Sequence, residues 1–273
     1  MNKLLVGILI TVIIAGAGAY YFLSPAFPAA VLHVETGTVE VNTGGGWMPA
    51  QNKMELRQAV SIRTIDGVAT VVILGGEILH LEPNTEIVLD NLRGAVSLAQ
   101  KAGETWHKVT RISGISQYRV TTPSTVASVR GTDFFLTNED IAVVDGNVAY
   151  GTFTEPEKVT LARQRSSASS FEAEPLTADD LAKEQRFLKE YILRLVQLRR
   201  EEILRHTLIL MEINRRGYSE DQVFVELEKV DAGEYDLEEL YQNVPLFLRS
   251  QVERTYLLTK EIREARKRLS HAP

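Results

Sequence analysis

The spacing of apolar and polar side chains changes twice along the chain. Residues 4–23 contain no charged side chain. About twenty such residues, at about 1.5 Å of rise each, match the roughly 30 Å hydrocarbon core of a bilayer, so this run predicts a transmembrane helix. Between residue 31 and about 161, apolar residues alternate with polar ones in short runs punctuated by Gly, Asn, Asp and Pro, a pattern that predicts short strands in close succession. Runs 31–35 and 38–41 flank Gly37, runs 62–64 and 68–74 flank Asp66-Gly67, and runs 141–144 and 148–150 flank Asp145-Gly146-Asn147. Glycine supplies positive φ at little steric cost, so these sites predict hairpins or tight turns. From Thr177 the period becomes 3.6. Leu181, Leu188, Ile192, Leu195, Leu204, Leu208 and Met211 recur at helical steps, Thr177-Ala178-Asp179-Asp180 reads as a cap, and Gly217 reads as the stop.

This patterning divides the chain into a signal-anchor helix at 1–24, a β domain at 30–162, a Ser-rich linker at 163–176 and a helical domain at 177–270. No helix-length period interrupts the β segment, so alternating β/α folds are disfavoured. The expected fold class is an all-β domain, either a sandwich or flattened β-solenoid of short strands or a barrel, followed by an α-helical hairpin or bundle. Further helices are expected from Ser219 through Val230, from Asp236, and from Pro245 to about Leu269. A helix of nearly forty residues needs a partner for its apolar stripe. The other helices can supply it, and a homo-oligomer formed through the helical tail is the other arrangement.

Charge sets the sidedness. Lys3 precedes the apolar run and no Lys or Arg follows until Lys53, which predicts a cytoplasmic N-terminus and an extracytoplasmic bulk, in the periplasm or on the cell surface. A cleaved signal peptide ending near Ala15-Gly16-Ala17-Gly18-Ala19 is the alternative, and exports the same product. A net charge of −6 gives no basic excess for nucleic acid, and the absence of cysteine removes disulfides, thiolate catalysis and zinc–thiolate sites.

Catalytic arrangements do not emerge. His33, His80, His107, His206 and His271 are scattered without metal-ligand spacing, no G-x-S-x-G elbow occurs, and Gly44-Gly45-Gly46 lacks the context of a phosphate loop. His33 and Glu35 fall on the strand face opposite Leu32 and Val34 and are expected to be solvated. Acids such as Glu82 and Glu86, at a spacing common by chance, are all that stands behind an enzymatic reading as glycan cleavage. Lys260, Arg263, Arg266, Lys267 and Arg268, interleaved with Glu261 and Glu264, are expected to form a solvated helix face. No catalytic residue, metal ligand or cofactor is predicted.

Several segments in order resemble one family. Val39-Glu40-Val41 precedes Trp47-Met48-Pro49-Ala50, and Ser61-Ile62-Arg63-Thr64 is followed by Asp66-Gly67-Val68-Ala69. Leu79-His80-Leu81-Glu82-Pro83-Asn84-Thr85 comes next, and Val144-Asp145-Gly146-Asn147-Val148 closes the set. The most specific stretch is Thr122-Pro123-Ser124-Thr125-Val126-Ala127-Ser128-Val129-Arg130-Gly131-Thr132-Asp133-Phe134. Together they resemble the FecR domain, over about half the chain. Gln58-Ala59 stands where the family usually has Gly-Asp, and Ala99-Gln100-Lys101 stands where it expects a glycine. The signature positions Trp47, Pro49, Thr64, Gly67, Thr122, Pro123, Arg130, Gly131, Thr132, Phe134 and Gly146 are the structural or binding candidates. Val-Arg-Gly-Thr reads as a turn device in which Arg130 can reach carbonyls or Asp133. The resemblance implies a regulatory family, but only three residues precede the apolar run, so the family's cytoplasmic anti-sigma domain is not expected. The leading expectation is a non-enzymatic envelope scaffold that binds an envelope protein or glycan and touches the bilayer through residues 4–23. A signal-sensing envelope regulator acting through the membrane helix is the alternative.

Overall fold

The structure, a computed structural model, describes residues 30–73, 76–110, 117–154 and 158–271. The apolar run at 4–23 lies outside them. Among the described residues, no helix is long and apolar enough to cross a membrane.

The β segment forms two nine-stranded sheets. In chain order the strands begin with β1 (Ala30–Thr36), β2 (Val39–Asn42), β3 (Trp47–Pro49), β4 (Met54–Leu56), β5 (Val60–Thr64) and β6 (Val68–Ile73). They continue with β7 (Glu77–Leu81), β8 (Glu86–Arg93), β9 (Ala95–Ala102), β10 (Thr105–Lys108), β11 (Gln117–Thr121) and β12 (Thr125–Val129). The last are β13 (Asp133–Leu136), β14 (Asp140–Asp145), β15 (Asn147–Thr152), β16 (Lys158–Leu161), β17 (Gln164–Ser167) and β18 (Glu174–Pro175). One sheet, here the inner sheet, runs β18-β17-β14-β13-β10-β7-β6-β1-β4, and the outer sheet runs β16-β15-β12-β11-β9-β8-β5-β2-β3. Neighbours are antiparallel, except that β11 pairs with β9 in parallel. The sandwich is therefore the form adopted. Hairpins such as β6-β7 and β8-β9 are laid alternately in the two sheets, so antiparallel pairs take the place of the stacked parallel coils of a solenoid.

This alternation revises the glycine turns. Gly37 joins β1 of the inner sheet to β2 of the outer, Gly67 lies between β5 and β6, and Gly146 between β14 and β15, so each marks a corner between sheets, not a hairpin. The corners stack in pairs. A Cβ on Gly37 (φ +61) would stand 2.6 Å from Gly67 Cα, and one on Gly146 (φ +83) would stand 2.8 Å from the Gly131 carbonyl oxygen. Positive φ and close backbone approach both select glycine here.

The facing sides of the two sheets make the first core, with Leu32, Val71, Leu79 and Phe134 from one sheet meeting Ile62, Leu98, Tyr118 and Val148 from the other. The second core lies on the inner sheet's other side, where Val72, Ile78, Trp106, Phe135 and Val144 meet helical residues. The helices are α1 (Ala178–Arg205), α2 (Thr207–Arg215), α3 (Glu220–Ala232), α4 (Leu237–Gln242) and α5 (Arg249–His271), the last entered through a 3-10 turn at Leu246–Leu248. Thr177 and Ser219 open α1 and α3 with capping boxes, and Asp236 caps α4 through the Glu238 and Glu239 amides. The long helix expected up to Gly217 breaks at His206, whose backbone is extended (φ −90°, ψ 95°).

Two expectations about domain organisation change. The stretch 163–176 is not a free linker, because β17 within it pairs with β14, and β18 pairs with β17. Nor do the helices bury their stripes only among themselves. Phe187, Leu188, Tyr191, Leu195 and Leu198 of α1 pack with Leu258, Ile262 and Ala265 of α5 and with the sheet beneath. The result is three layers, with the inner sheet buried on both faces.

Candidate functional site

The signature residues between Thr122 and Gly146 mostly act as staples. Thr122 Oγ1 accepts the Thr125 amide at 2.9 Å and donates to the Asn138 carbonyl at 2.9 Å, tying the turn that follows Pro123 to the turn between β13 and β14. Thr64 Oγ1 donates to the Glu82 carbonyl at 2.6 Å and accepts the Thr85 amide at 2.9 Å. Thr132 Oγ1 donates to the Asn147 carbonyl at 3.0 Å, across the stacked Gly131 and Gly146 corners. Phe134 stacks on His107 with ring centroids 4.6 Å apart. Trp47 carries the Arg63 guanidinium over its ring at 4.2 Å, and Arg63 pairs with Glu40 on the same face at 2.6 Å. Pro49 sits opposite Glu40 on the edge strand β3.

Asp133, inside the signature, is fully buried and anchors the helices. Its Oδ1 accepts the Trp106 indole N–H at 2.5 Å, and its Oδ2 lies 2.8 Å from Arg268 Nη1 and 3.8 Å from Lys108 Nζ. Arg268, near the end of α5, also donates to Glu184 of α1 at 2.7 Å, and Glu184 receives Arg163 at 2.6 Å. Lys108 lies 3.2 Å from Glu261 of α5, which accepts the Tyr191 hydroxyl of α1 at 2.9 Å. Burial, and then the neighbouring Glu261 carboxylate, push the Tyr191 phenol well above its ordinary range. One carboxylate of the signature strand thus gathers cations and donors from the sheet and the last helix. Arg130 does not reach Asp133, and Arg268 does not lie on a solvated face.

A second polar seam joins α1 to the far half of the sheet. Arg194 donates to His33 Nδ1 at 3.2 Å and pairs with Glu35, while Arg186 pairs with Glu82. His33 and Glu35 are therefore covered by α1 instead of solvated, and burial followed by Arg194 lowers the His33 pKa to about 4. His80 packs edge-on against Phe187 at 4.3 Å, and burial followed by Arg186 lowers its pKa to about 3. Glu82 and Glu86 are not an acid pair: Glu82 is held by Arg186, whereas Glu86 lies on β8 of the outer sheet opposite Arg63. Among the described residues, no group of three or more His, Cys, Asp or Glu side chains could hold a metal ion.

Two hollows flank the Gly131/Gly146 corner. A cleft of about 420 Å³ opens toward α5, lined among others by Lys108, Asp145, Lys260, Glu264 and Arg268. A shallower groove of about 750 Å³ lies on the outer sheet, lined by Gln117, Ser128, Arg130, Asn147, Ala149 and Val159. Arg130 is exposed. The helical layer covers the inner sheet only, so this groove opens on the uncovered face.

The stacked Gly131 and Gly146 corners and the Thr122-to-Phe134 segment fall in one stretch of chain. Residues 60–149 match the FecR protein family. The FecR match begins at β5 and ends within β15, and strands on either side of it complete both sheets. Two solved structures of a candidate anti-sigma factor from Parabacteroides distasonis are similar to the chain. One has 15% identity and a TM-score of 0.39, covering 47% of this chain and 64% of that one. The other has 16% identity and a TM-score of 0.37, covering 43% and 59%. The chain thus spans less than two thirds of either. No curated protein matches it in sequence.

The site residues that sequence reasoning missed are Trp106, Lys108, Glu184 and Arg194, and for Asp133 the sequence points to the wrong partner. A signal for the strand residues exists: Trp106-His107-Lys108 and Asp133-Phe134-Phe135-Leu136 interrupt the alternation with bulky residues on successive positions, as expected of strands buried on both faces.

Proposed function

We propose that this protein is a FecR-type signal regulator of the cell envelope, held at the membrane by residues 4–23 with its sandwich on the extracytoplasmic side. The match over residues 60–149 carries the reading and favours regulation over a purely scaffolding role. The outer sheet supplies the receiving face. Among the described residues it is free of helices, and it carries the groove beside Arg130, whose guanidinium suits a carboxylate or carbonyl of an envelope protein or glycan. The inner sheet supplies the coupling, since the turn that bears Arg130 continues into Asp133, which holds α5. Binding at the outer face that shifts the Gly131 corner therefore strains the Asp133–Arg268 contact. The role is one of binding, and the described residues offer no convergent catalytic group to argue otherwise.

The test compares transcripts in cells lacking the gene, in cells restored with the native chain, and in cells restored with Arg130→Glu. A defined set of transcripts is expected to change on deletion, recover with the native chain, and stay changed with Arg130→Glu. If deletion alters no transcript under envelope stress, the regulatory reading falls.

A further inference from the structure

The end of α1 and the first turns of α5 meet near the start of β1. α1 crosses the inner sheet from Arg165 of β17, which pairs with Asp180, to β1, where Arg194 meets His33, and Leu198 and Glu201 share a small cavity with Val31. His33, Thr70, His80, Trp106, Phe135, Ala142 and Arg165 form one row across the strands, so α1 crosses them sideways and its last turns reach the start of β1 at Val31. α5 runs antiparallel beside α1. Arg268 pairs with Glu184, Glu261 with Tyr191, Thr259 with Arg199 and Arg254 with Glu202, so each step toward the start of α5 moves outward along α1. The 3-10 turn at Leu246–Leu248 precedes α5 and lies farther out still.

The tip formed by this turn is apolar. Leu246 is 79% exposed and Phe247 68%. Residues 245–248 carry no charge, and the Arg249 side chain turns back onto the Gln242 and Val244 carbonyls. Two adjacent large apolar residues this exposed on a tight turn are unusual for a surface in water. The connection of the chain points to one candidate cover. Residues 24–29 join the charge-free run at 4–23 to Ala30, and six residues span at most about 20 Å. Glu201 shares a small cavity with Val31 and its neighbour Glu202 pairs with Arg254, so the first turns of α5 lie on the side of the sandwich where β1 begins and from which that run departs.

We infer that the Leu246–Phe247 turn is a membrane-contact wedge, seated in the lipid interface of the same bilayer that holds residues 4–23. The proposal rests on the reading of residues 4–23 as bilayer-embedded and adds a second contact to it. With two contacts, one at Ala30 and one at the tip, the sandwich is held in a fixed orientation and the outer sheet faces away from the helical side. Shallow insertion of a few apolar side chains is a weak contact by itself and becomes effective when an anchor already holds the chain at the surface.

The chain contains no cysteine, so single labels are clean. A fluorophore sensitive to its environment is placed on Val12→Cys, Phe247→Cys and Val159→Cys in the full chain, which is reconstituted into phosphatidylcholine–phosphatidylglycerol vesicles with or without a spin-labelled quencher lipid. The exposed Val159 lies on the outer sheet and serves as the aqueous control. Labels at 12 and 247 are expected to be quenched several-fold more than the label at 159. Quenching at 12 without quenching at 247 overturns the wedge and leaves the anchor standing. No quenching at 12 overturns the anchor and the wedge with it. Shielding at 247 that comes without lipid quenching, and with a disulfide crosslink between two copies of the unlabelled Phe247→Cys variant, shows that a second copy occupies the tip and overturns the proposal.

Discussion

Arg268, three residues before the end of the last helix, lies 2.8 Å from Asp133, the residue that follows Arg130-Gly131-Thr132. The contact joins the most specific stretch of the FecR segment to the last helix of the chain, and it does so at a fully buried carboxylate.

Removing either partner should loosen the helical layer. Asp133→Ala abandons Arg268 and Lys108 and also loses the Trp106 indole bond. An expected cost of about 3 kcal/mol follows from breaking a buried charge pair. Arg268→Ala should cost less, about 1–2 kcal/mol, because Lys108 and Trp106 still face the carboxylate and Arg268 is partly exposed. Urea unfolding measures both. Amide exchange of α5 should rise in Arg268→Ala before that of β8 or β9, and equal exchange in the two regions would refute the latch.

Mild acid should weaken the fold. His33, His80 and His107 have folded pKa values lowered to about 4, 3 and 3, chiefly by burial, so each stays neutral in the fold while its unfolded counterpart takes up a proton. The unfolded chain then binds more protons, and stability falls as pH drops below about 6.5, by up to about 1.4 kcal/mol per pH unit for each histidine. Glu82 and Glu190, raised by burial, act in the opposite sense and soften the fall. Urea midpoints at pH 7.5 and 5.5 test this. His33→Asn should flatten the difference, and an unchanged slope would remove His33 from the account.

The two kinds of glycine should separate by substitution. Gly146→Ala places a Cβ 2.8 Å from the Gly131 carbonyl oxygen at positive φ, whereas Gly217 (φ +79) has nothing within 4 Å. Gly217→Ala should cost about 1 kcal/mol from backbone strain alone, and Gly146→Ala at least about 2–3 kcal/mol, because a corner must also move. Thermal or urea unfolding gives the comparison, and equal losses would mean that the corner yields freely.

Ala59 offers the reverse change. It holds φ 62° and donates its amide to the Leu89 carbonyl at 2.6 Å, at the site where the family usually has Gly-Asp. The strand entry is retained with an alanine in a conformation that favours glycine. Ala59→Gly should raise stability by about 0.5–1 kcal/mol, the relief of left-handed strain less the added freedom of the unfolded chain. A loss of stability would show that the methyl group contributes packing that outweighs its strain.

Much of the local structure was legible from residue order, because it depends on neighbours in the chain. Thr177 with Asp180, Ser219 with Gln222 and Asp236 with the two following amides are helix starts complete within a few positions. Gly37, Gly67 and Gly146 announced reversals of direction, since only the backbone at that residue needs to bend. Alternation in Val39–Asn42 and Val60–Thr64 showed strands with one buried face, as the outer sheet has. The FecR resemblance at Thr122-to-Phe134 rested on the same kind of short-range pattern.

What the chain order could not determine was the partner of each surface. Period-two alternation reports that a face is covered, not whether a sheet or a helix covers it, and a glycine turn reads the same whether it leads to the next strand or to the opposite sheet. His33 and Glu35 looked solvated because the side chain that covers them, Arg194, belongs to a helix far along the chain. Asp133 looked like a turn carboxylate for Arg130, yet its cations arrive from β10 and α5. Sequence alone determined the repertoire of strands, corners and capped helices, because these follow from local sterics and hydrogen bonding. Only the tertiary structure decided that the helices close over the inner sheet and leave the outer sheet and its groove open, because burial of the α1 stripe depends on contacts between distant segments.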